Sequence, residues 1–468
     1  MELLLYDTLS RGKKALRAPE PGKPITMYVC GPTVYGRAHI GNARPAVVFD
    51  VLYRLLRHLY GTENVRYARN ITDIDDKIMA KAVAENRTPE SVAREFEALY
   101  FADMAALGCL MPDFNPRATE HVAGGHGMIH MIEALIANGA AYESQGHVLF
   151  EVAKYPSYGR LSKRPMEEML AGARVEVAPY KRAPGDFVLW KPSTAEQPGW
   201  ESPWGRGRPG WHIECSAMIR SALGEDSIDI HGGGLDLQFP HHENERAQSA
   251  CAHEGAELAR IWMHNGFLTM GETKMSKSLG NILTPHELME AGWDGEVLRL
   301  ALLSAHYRQP LSWTDSLLEQ SKKTLDVLYG KKRRMVRDEV QEGRREVLPE
   351  VTQSLADDLH VSNALKSIHD AARESDVQYN QKKWDGAAVH ARSVVHSMKD
   401  LMGLMKRDSD EWFQAGIDEA AVTPRLERYR QARAAKDWAE ADRLRDQLAA
   451  DGVLLTVGKG GEVEWRRG

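Results

Sequence analysis

Cysteine is scarce in this chain. Four thiols, Cys30, Cys109, Cys215 and Cys251, are spread over 468 residues, and no two form a CxxC pair. That excludes a disulfide framework and makes a reducing compartment the expectation. Long apolar runs are missing as well: nothing approaches the roughly 18 residues of a membrane span. The short run Leu3-Leu4-Leu5 precedes Arg11, Lys13 and Lys14 instead of following them, which is not the pattern of a signal peptide. A soluble, cytoplasmic protein is expected. There is no fixed-period repeat and no low-complexity block, so solenoids and fibres are excluded. Neither sign of charge dominates: 60 Lys and Arg against 66 Asp and Glu leave −6. The chain is therefore not coated in basic charge, although a local basic face is compatible with that balance.

What is present is globular. Hydrophobic residues make up 43% and charged residues 27%, enough to bury a large core, and the length suggests about three domains at roughly 150 residues each. Pro24 to Cys30 alternates Ile25, Met27 and Val29, which predicts a strand. Asn42 to Tyr60 carries Val48, Val51, Leu52, Leu55, Leu56 and Leu59 at helical spacing, with Pro45 in the first turn and Gly61 as C-cap. Asn64 to Asn70 predicts a second strand, and strand–helix–strand implies a parallel sheet with a crossover. From about 110 to 205, short strand-like runs (His147 to Val152, Asp186 to Lys191) mix with Pro, Gly and charge, which reads as an insertion. Alternation then returns. Trp211 to Leu223 and His241 to His253 are predicted helices, and Ile228 to His231 and Ile261 to Met270 are predicted strands. The fold class expected is α/β, a doubly wound, Rossmann-like parallel sheet split by an insertion. Beyond 284 the pattern is helical, with Leu317 to Val336 and Val351 to Met405 as bundle helices. A linker near Glu411 to Thr423 leads to a small α+β unit, a charged helix (Pro424 to Asp451) and a hairpin (Val453 to Arg467).

Two motifs carry chemistry. His39-Ile40-Gly41-Asn42 lies between the first strand and the first long helix. Glycine permits close backbone approach, the helix N-terminus offers N–H groups to phosphate, and a histidine can donate there; a plain surface loop is the competing reading. Lys274-Met275-Ser276-Lys277-Ser278, before Leu279-Gly280-Asn281, is a cationic loop suited to closing over a polyphosphate; a solvated charged turn is the alternative.

Together with YVCGPTVY, NITDIDDK, GRPGWHIECSAM, DIHGGG and FPHHENE, these motifs resemble the class I aminoacyl-tRNA synthetases and, among them, the cysteinyl-tRNA synthetase family, over nearly the whole length. One departure is Asn42, where the generic first signature has histidine. The resemblance implies activation of L-cysteine with Mg2+-ATP to cysteinyl-adenylate, then transfer to the terminal adenosine of cysteine tRNA. It implies His39, Gly41, Asn42 and Lys277 at ATP, with His39, Lys274 and Lys277 catalytic. It implies a catalytic domain in two halves (1–110 and 206–270) around a connective insertion (111–205). A loop and stem-contact region (271–314), a tRNA-binding helical bundle (315–410) and an anticodon-binding unit (424–468) follow. A monomer is implied as well.

Residue chemistry also points to a metal. His241 and Glu245 are four apart on a predicted helix and so share a face. Cys30 ends the first strand and Cys215 lies early on a helix of the second half, both near the carboxyl edge of the sheet, where ligands bind. Two thiolates, an imidazole and a carboxylate suit zinc. A lone buried cysteine is more often inert, and spacing alone leaves His242 as a competing ligand. The resemblance assigns Cys30, Cys215, His241 and Glu245 as zinc ligands, one ion per chain, and leaves Cys109 and Cys251 as core. It also puts Thr72, Trp211, His231 and Asp236 at the amino acid. From the residues alone, Asp236 reads equally as a turn residue, and the run Thr72 to Asp76 as a helix N-cap.

Two basic regions face the question of tRNA. Lys331 to Arg334, with Arg337, Arg344 and Arg345, is the densest cluster, either a phosphate-binding surface or a solvated helix face. In the tail, Arg433, Trp438, Asp442 and Arg445 are the anticodon candidates, with Trp438 either stacking on a base or buried in a core. Two other functions fit parts of the sequence. One is a ligase passing activated cysteine to an amino-sugar in thiol biosynthesis; the other is an inactive tRNA-binding paralogue.

Overall fold

The strand Ile25–Val29 (β1) is buried along its whole length, as strands covered on both faces by helices are. A computed structural model describes residues 1–163, 178–270, 273–274, 283–337, 346–414, 418–457 and 463–467. In it β1 pairs in parallel with Val65–Arg69 (β2) on one side and Ile228–Gly234 (β3) on the other. β3 pairs in parallel with Ala259–Asn265 (β4), giving the order β4-β3-β1-β2. The helix Ile40–Tyr60 (α1) crosses from β1 to β2, Trp211–Leu223 (α3) leads into β3, and Glu243–Ala252 (α4) joins β3 to β4. A further helix, Asp76–Ala84 (α2), follows β2 with Asp75 as its N-cap, its side chain accepting from Lys77 N. This is the doubly wound sheet expected. The order reverses between β1 and β3, so their carboxyl ends part to form the crevice.

Local chemistry moves several predicted boundaries. α1 starts at Ile40, not Asn42, because His39 caps it, Nδ1 accepting from Asn42 N at 3.2 Å. Pro45 therefore falls beyond the first turn. The run His241 to His253 is helical as far as Ala252 and is entered through a π-turn, Gln238–His242, kinked at the extended Phe239. Ile261 to Met270 is two strands, since Leu268–Met270 leaves the main sheet for a three-stranded one with Thr273–Lys274 and Leu311–Trp313. The break is at Gly266, whose N–H donates to Tyr307 O at 2.8 Å while the buried Arg44 guanidinium donates to Gly266 O and Phe267 O.

The insertion forms an antiparallel sheet of Ala141–Ser144, His147–Phe150, Phe187–Pro192 and Gly207–Pro209. Its Phe150, Leu189 and Trp190 share one hydrophobic core with Tyr28, Cys215 and Trp262. Asp76 of α2 ties down its last two strands through Lys191 and Arg208.

The chain divides into two compact units, residues Met1–Leu318, Val347–Ile368 and Asp400–Leu404 in one, Glu319–Glu346, His369–Lys399 and Met405–Gly468 in the other. Val351 to Met405 is broken into Pro349–Ala356, Val361–Asn380 and Trp384–His396. The first break is at Asp358 and Leu359 and the second at Lys382, all with left-handed backbone (φ 59°, 52° and 61°). Asp358 is buried because Tyr6 N, the Tyr307 hydroxyl and Arg308 Nε all donate to its carboxylate. Pro424 to Asp451 is likewise two helices, Glu419–Ala434 and Trp438–Ala450. Lys436 takes φ 61° and Asp437 caps the second, accepting from Glu440 N. These helices and the hairpin Val453–Val457 with Val463–Arg467 enclose a core of their own, including Leu426, Leu444, Leu448 and Trp465. Among the described residues no helix is long and apolar enough to cross a membrane.

Asp50 of α1 is the polar hub of the first unit. It is 2% exposed and accepts from Arg54 Nε, from Leu110 N and from the fully buried Arg299. Arg299 also donates to Leu107 O and Met402 O. Burial alone would raise the Asp50 pKa, but Arg299 and Arg54 hold it below the ordinary range. Its contribution is therefore present above the unfolded-state pKa and lost as pH falls through the folded value. Asp50→Asn is expected to cost about 3–5 kcal/mol, because it leaves two buried guanidinium groups undercompensated. Urea unfolding at neutral pH checks the loss, and the gap to wild type should close in acid.

Candidate active site

A cavity of about 400 Å3 opens at the crevice between the ends of β1 and β3. Of the residues expected at the site, it is lined by Cys30, His39, Gly41, Asn42, Thr72, Trp211, Cys215, Asp236 and His241. The backbone makes this convergence. Cys30 N donates to Gly232 O at 3.0 Å, and Gly31 N to Asn70 Oδ1 at 2.8 Å. Gly31 passes so close to β2 that a Cβ would lie 1.7 Å from Asn70 O, so only glycine fits.

Cys30 Sγ lies 3.7 Å from Cys215 Sγ and 3.5 Å from Glu245 Oε1, and His241 Nε2 lies 2.8 Å from that same oxygen. All four residues are buried, with donor atoms within 4.8 Å of one another. Two sulfurs each about 2.3 Å from a tetrahedral zinc would stand about 3.8 Å apart, so the thiols are spaced as such an ion requires. These residues could hold a metal. A second overlapping set replaces Cys215 and His241 with His231 and His242, the alternative left open by the sequence. Engagement of the rings does not separate the sets: His242 meets Cys30 Sγ (3.3 Å) and His264 (2.9 Å), His231 meets Tyr28 O (3.1 Å) and Glu245 Oε2 (2.7 Å), and His241 likewise meets Glu245 and His212. Neither His231 nor His242 lines the cavity, whereas Cys30, Cys215 and His241 do; an open coordination position is available only to the first set. His231, expected at the amino acid, does not line the cavity and reaches the site through Glu245.

Electrostatics within the cluster are strongly coupled. Burial pushes the Cys30 thiol well up, reinforced by Cys215 and Glu245. Burial also acts to raise Cys215, but hydrogen bonds with Cys30 and His241 outweigh it and bring the thiol down to about 6. His241 is lowered by burial and raised more by Glu245 and Cys215, to about 10. Glu245 ends well below the carboxylate range, its two histidines outweighing burial. Behind His241 stands His212, 3.1 Å away between Nδ1 atoms and lowered by burial to about 3. Trp211, 40% exposed, stacks on the His241 ring at 4.2 Å and forms a wall of the cavity.

At the other end of the cavity is the N-terminus of α1. A Cβ on Gly41 would lie 2.9 Å from His39 Nδ1, so the capping ring depends on glycine there. Ile40 N donates to Leu283 O at 2.8 Å. Lys274 ends the strand Thr273–Lys274, paired with Thr269. The chain before residues 275–282 is thus held to Thr269 and the chain after them to Ile40, while Lys277 itself lies outside the described residues.

Sequence reasoning passed over Arg37, Asn70 and Lys77, which also line the cavity, and Glu214, which accepts from Thr72 Oγ1 at 2.9 Å and is pushed well up by burial. Asn70 and Lys77 lie in the NITDIDDK segment, so the signal was there. Cys109 and Cys251 take no part in the cluster and are half-buried.

In the second unit Arg433 lies over the Trp438 ring at 5.7 Å. Trp438 is 55% exposed, which rules out its reading as a core residue; the buried tryptophan is Trp465, at 7%. Asp442 and Arg445 pair at 2.9 Å on the same helix as Trp438, at positions i+4 and i+7. Trp438, Asp442 and Arg445 thus lie along one exposed side of that helix, with the half-buried Arg433 of the preceding helix against the Trp438 ring. The basic cluster is paired within its own unit, with Arg334 still half-exposed. Lys331 and Arg334 pair with Asp376, Lys332 donates to Met405 O and Arg407 O, and Arg333, 6% exposed, pairs with Asp410 and lies over Phe413. Arg344 and Arg345 lie outside the described residues.

Comparison with known proteins agrees with this geometry. Residues 17–323 match the family model for the class I (C) tRNA synthetase catalytic domain. A cysteine–tRNA ligase of Caulobacter sp. (strain K31) is 52% identical over 470 residues, covering 100% of this chain and 99% of that protein. One from Parvibaculum lavamentivorans is 53% identical over 472 residues, covering 100% and 98%. Among solved structures, Mycobacterium tuberculosis methionyl-tRNA synthetase bound by methionyl-adenylate superposes with a TM-score of 0.58 at 17% identity, over 82% of this chain and 92% of that one. The chain belongs to the cysteine–tRNA ligases, a family of class I aminoacyl-tRNA synthetases.

Proposed function

We propose that this chain activates L-cysteine with Mg2+-ATP to cysteinyl-adenylate and transfers the cysteinyl group to the 3′-terminal adenosine of cysteine tRNA, as a monomer in the cytoplasm. The observation that carries the reading is a buried pair of thiols, an imidazole and a carboxylate opening onto the same cavity as the α1 N-terminus. Zinc fits that donor set. Cys30, Cys215, His241 and Glu245 would hold it, and it would supply a position that accepts a thiolate and discriminates against an alkanol. Losing a required polar contact costs a competitor about 10⁴-fold, against roughly 10- to 200-fold for an apolar pocket, so serine is rejected without editing.

The protein's own groups position the rest. Asp236 receives the α-ammonium of the substrate and Trp211 walls its side chain, while Thr72, held by Glu214, borders the amino acid. The substrate carboxylate attacks the α-phosphorus, and the bond to pyrophosphate breaks. His39 and the Gly41 N–H in the first turn of α1 face the phosphates, with Asn42 beside them, and Lys274 and Lys277 stabilise the triphosphate as charge develops. The terminal ribose hydroxyl of the tRNA then attacks the carbonyl carbon and AMP leaves. No covalent enzyme intermediate is needed; catalysis is positioning and charge stabilisation.

Residues 1–110 and 206–270 act as the catalytic halves around the insertion 111–205. Residues 271–314 contact the acceptor stem, 315–410 form the tRNA-binding bundle, and 424–468 read the anticodon through Arg433, Trp438, Asp442 and Arg445. The separate core of the tail supports a tRNA substrate over an amino-sugar acceptor, which calls for no such unit.

Three outcomes are expected. Wild-type protein catalyses cysteine-dependent ATP–pyrophosphate exchange, and Lys277→Ala lowers the rate about 100-fold or more; no exchange in wild type would leave only a binding protein. Chelation of zinc, with folding followed by circular dichroism, lowers cysteine activation and erodes selectivity over serine; unchanged selectivity would sink the metal's role. Truncation after Gln414, which spares the helix Glu419–Ala434 from being cut, preserves exchange and abolishes charging of cysteine tRNA.

A further inference from the structure

Arg37 lies in the turn between β1 and α1 and lines the cavity beside His39, Gly41 and Asn42. Its Nη1 donates to Asp103 Oδ1 at 2.9 Å, with side-chain exposures of 27% and 4%. Asp103 sits in the last turn of the helix Pro89–Ala106, and its Oδ2 is buried without a hydrogen-bond partner. The pair is therefore single-pronged. A guanidinium carries five N–H donors, and Nε and Nη2 of Arg37 have no hydrogen-bond partner among the described residues. Glu287 makes no hydrogen bond to them; its Oε2 accepts from Thr284 N and Oγ1.

The other cations lining the cavity are placed differently. Arg69 is buried and donates to the Tyr100 hydroxyl and Pro45 O. Lys77 lies over the Tyr35 ring at 5.3 Å. Arg37 is two residues from the cap of α1. It thus combines a fixed position, unspent donors and adjacency to a helix N-terminus, the combination a polyphosphate selects.

We infer that Arg37 binds the β- and γ-phosphates of ATP and positions the pyrophosphate leaving group, with Asp103 as the buried anchor that fixes its guanidinium. This rests on the reading of the cavity as an ATP site. Arginine supplies a planar, bidentate contact that a lysine in the same place would supply only as a point charge.

Calorimetric titration of wild-type and Arg37→Ala protein with magnesium and either α,β-methylene-ATP or AMP separates the possibilities. Loss of a charged hydrogen bond is expected to weaken binding of the triphosphate analogue about 10- to 100-fold. AMP affinity and the KM for cysteine should not change, and Arg37→Lys should recover part of the loss. Equal weakening of AMP and the analogue would mark Arg37 as merely structural and overturn the inference, as would no weakening of either. If the alanine variant does not fold, Arg37→Gln reads the same difference. Failure of wild-type protein to bind the analogue would instead overturn the ATP reading itself.

Discussion

Bringing Cys30 and Cys215, 185 residues apart in sequence, to 3.7 Å separation requires two backbones to approach without side chains between them. The meeting point is the seam of β1 and β3, where Cys30 N bonds Gly232 O; on the other side of β1, Gly31 slides past Asn70 at the end of β2. The adjoining glycines serve the same end: a Cβ on Gly232 would strike the Phe49 ring and one on Gly233 the His242 ring. The insertion between the halves of the sheet is tolerated because it buries its own apolar face in the core it interrupts. The cost of closing so long a loop grows only slowly with its length.

Four ionisable donors in one dry pocket would repel or stay protonated without compensation. Here three of them have a partner behind: Cys30 has His242, His241 has His212, and Glu245 has His231 as well as His241. The histidines hold the donors in orientation, as partners of metal ligands generally do. His264 extends the chain to Thr8, at 2.9 Å, so the N-terminal segment is wired to the floor of the site.

Much of this was legible in the sequence, because period and punctuation are local. The alternation around β1, the helical spacing of α1 and the i, i+4 pair His241–Glu245 are written in neighbouring residues. What escaped was set by distant partners or by a single dihedral. Asp358 breaks a long helical run because Tyr6, Tyr307 and Arg308 converge on it, and none of them is near in sequence. Lys436 turns one helix into two by adopting a left-handed backbone, and only Asp437 three residues before Glu440 signalled a new start. The cluster Lys331 to Arg334 read equally as a surface for polyanions or a solvated helix face. Its charges are consumed by Asp376, Asp410 and main-chain carbonyls, which no composition window can register.

The cap of α1 also explains a tolerance. His39 receives its hydrogen bond from the main-chain amide of residue 42, and its ring occupies the room left empty by the missing side chain at 41. The three positions are thus not equal letters of a motif. One is a ring, one is a void shaped for it, and the third lends only a peptide N–H. Any residue except proline can lend that, so an asparagine where relatives of the wider class carry histidine leaves the cap intact.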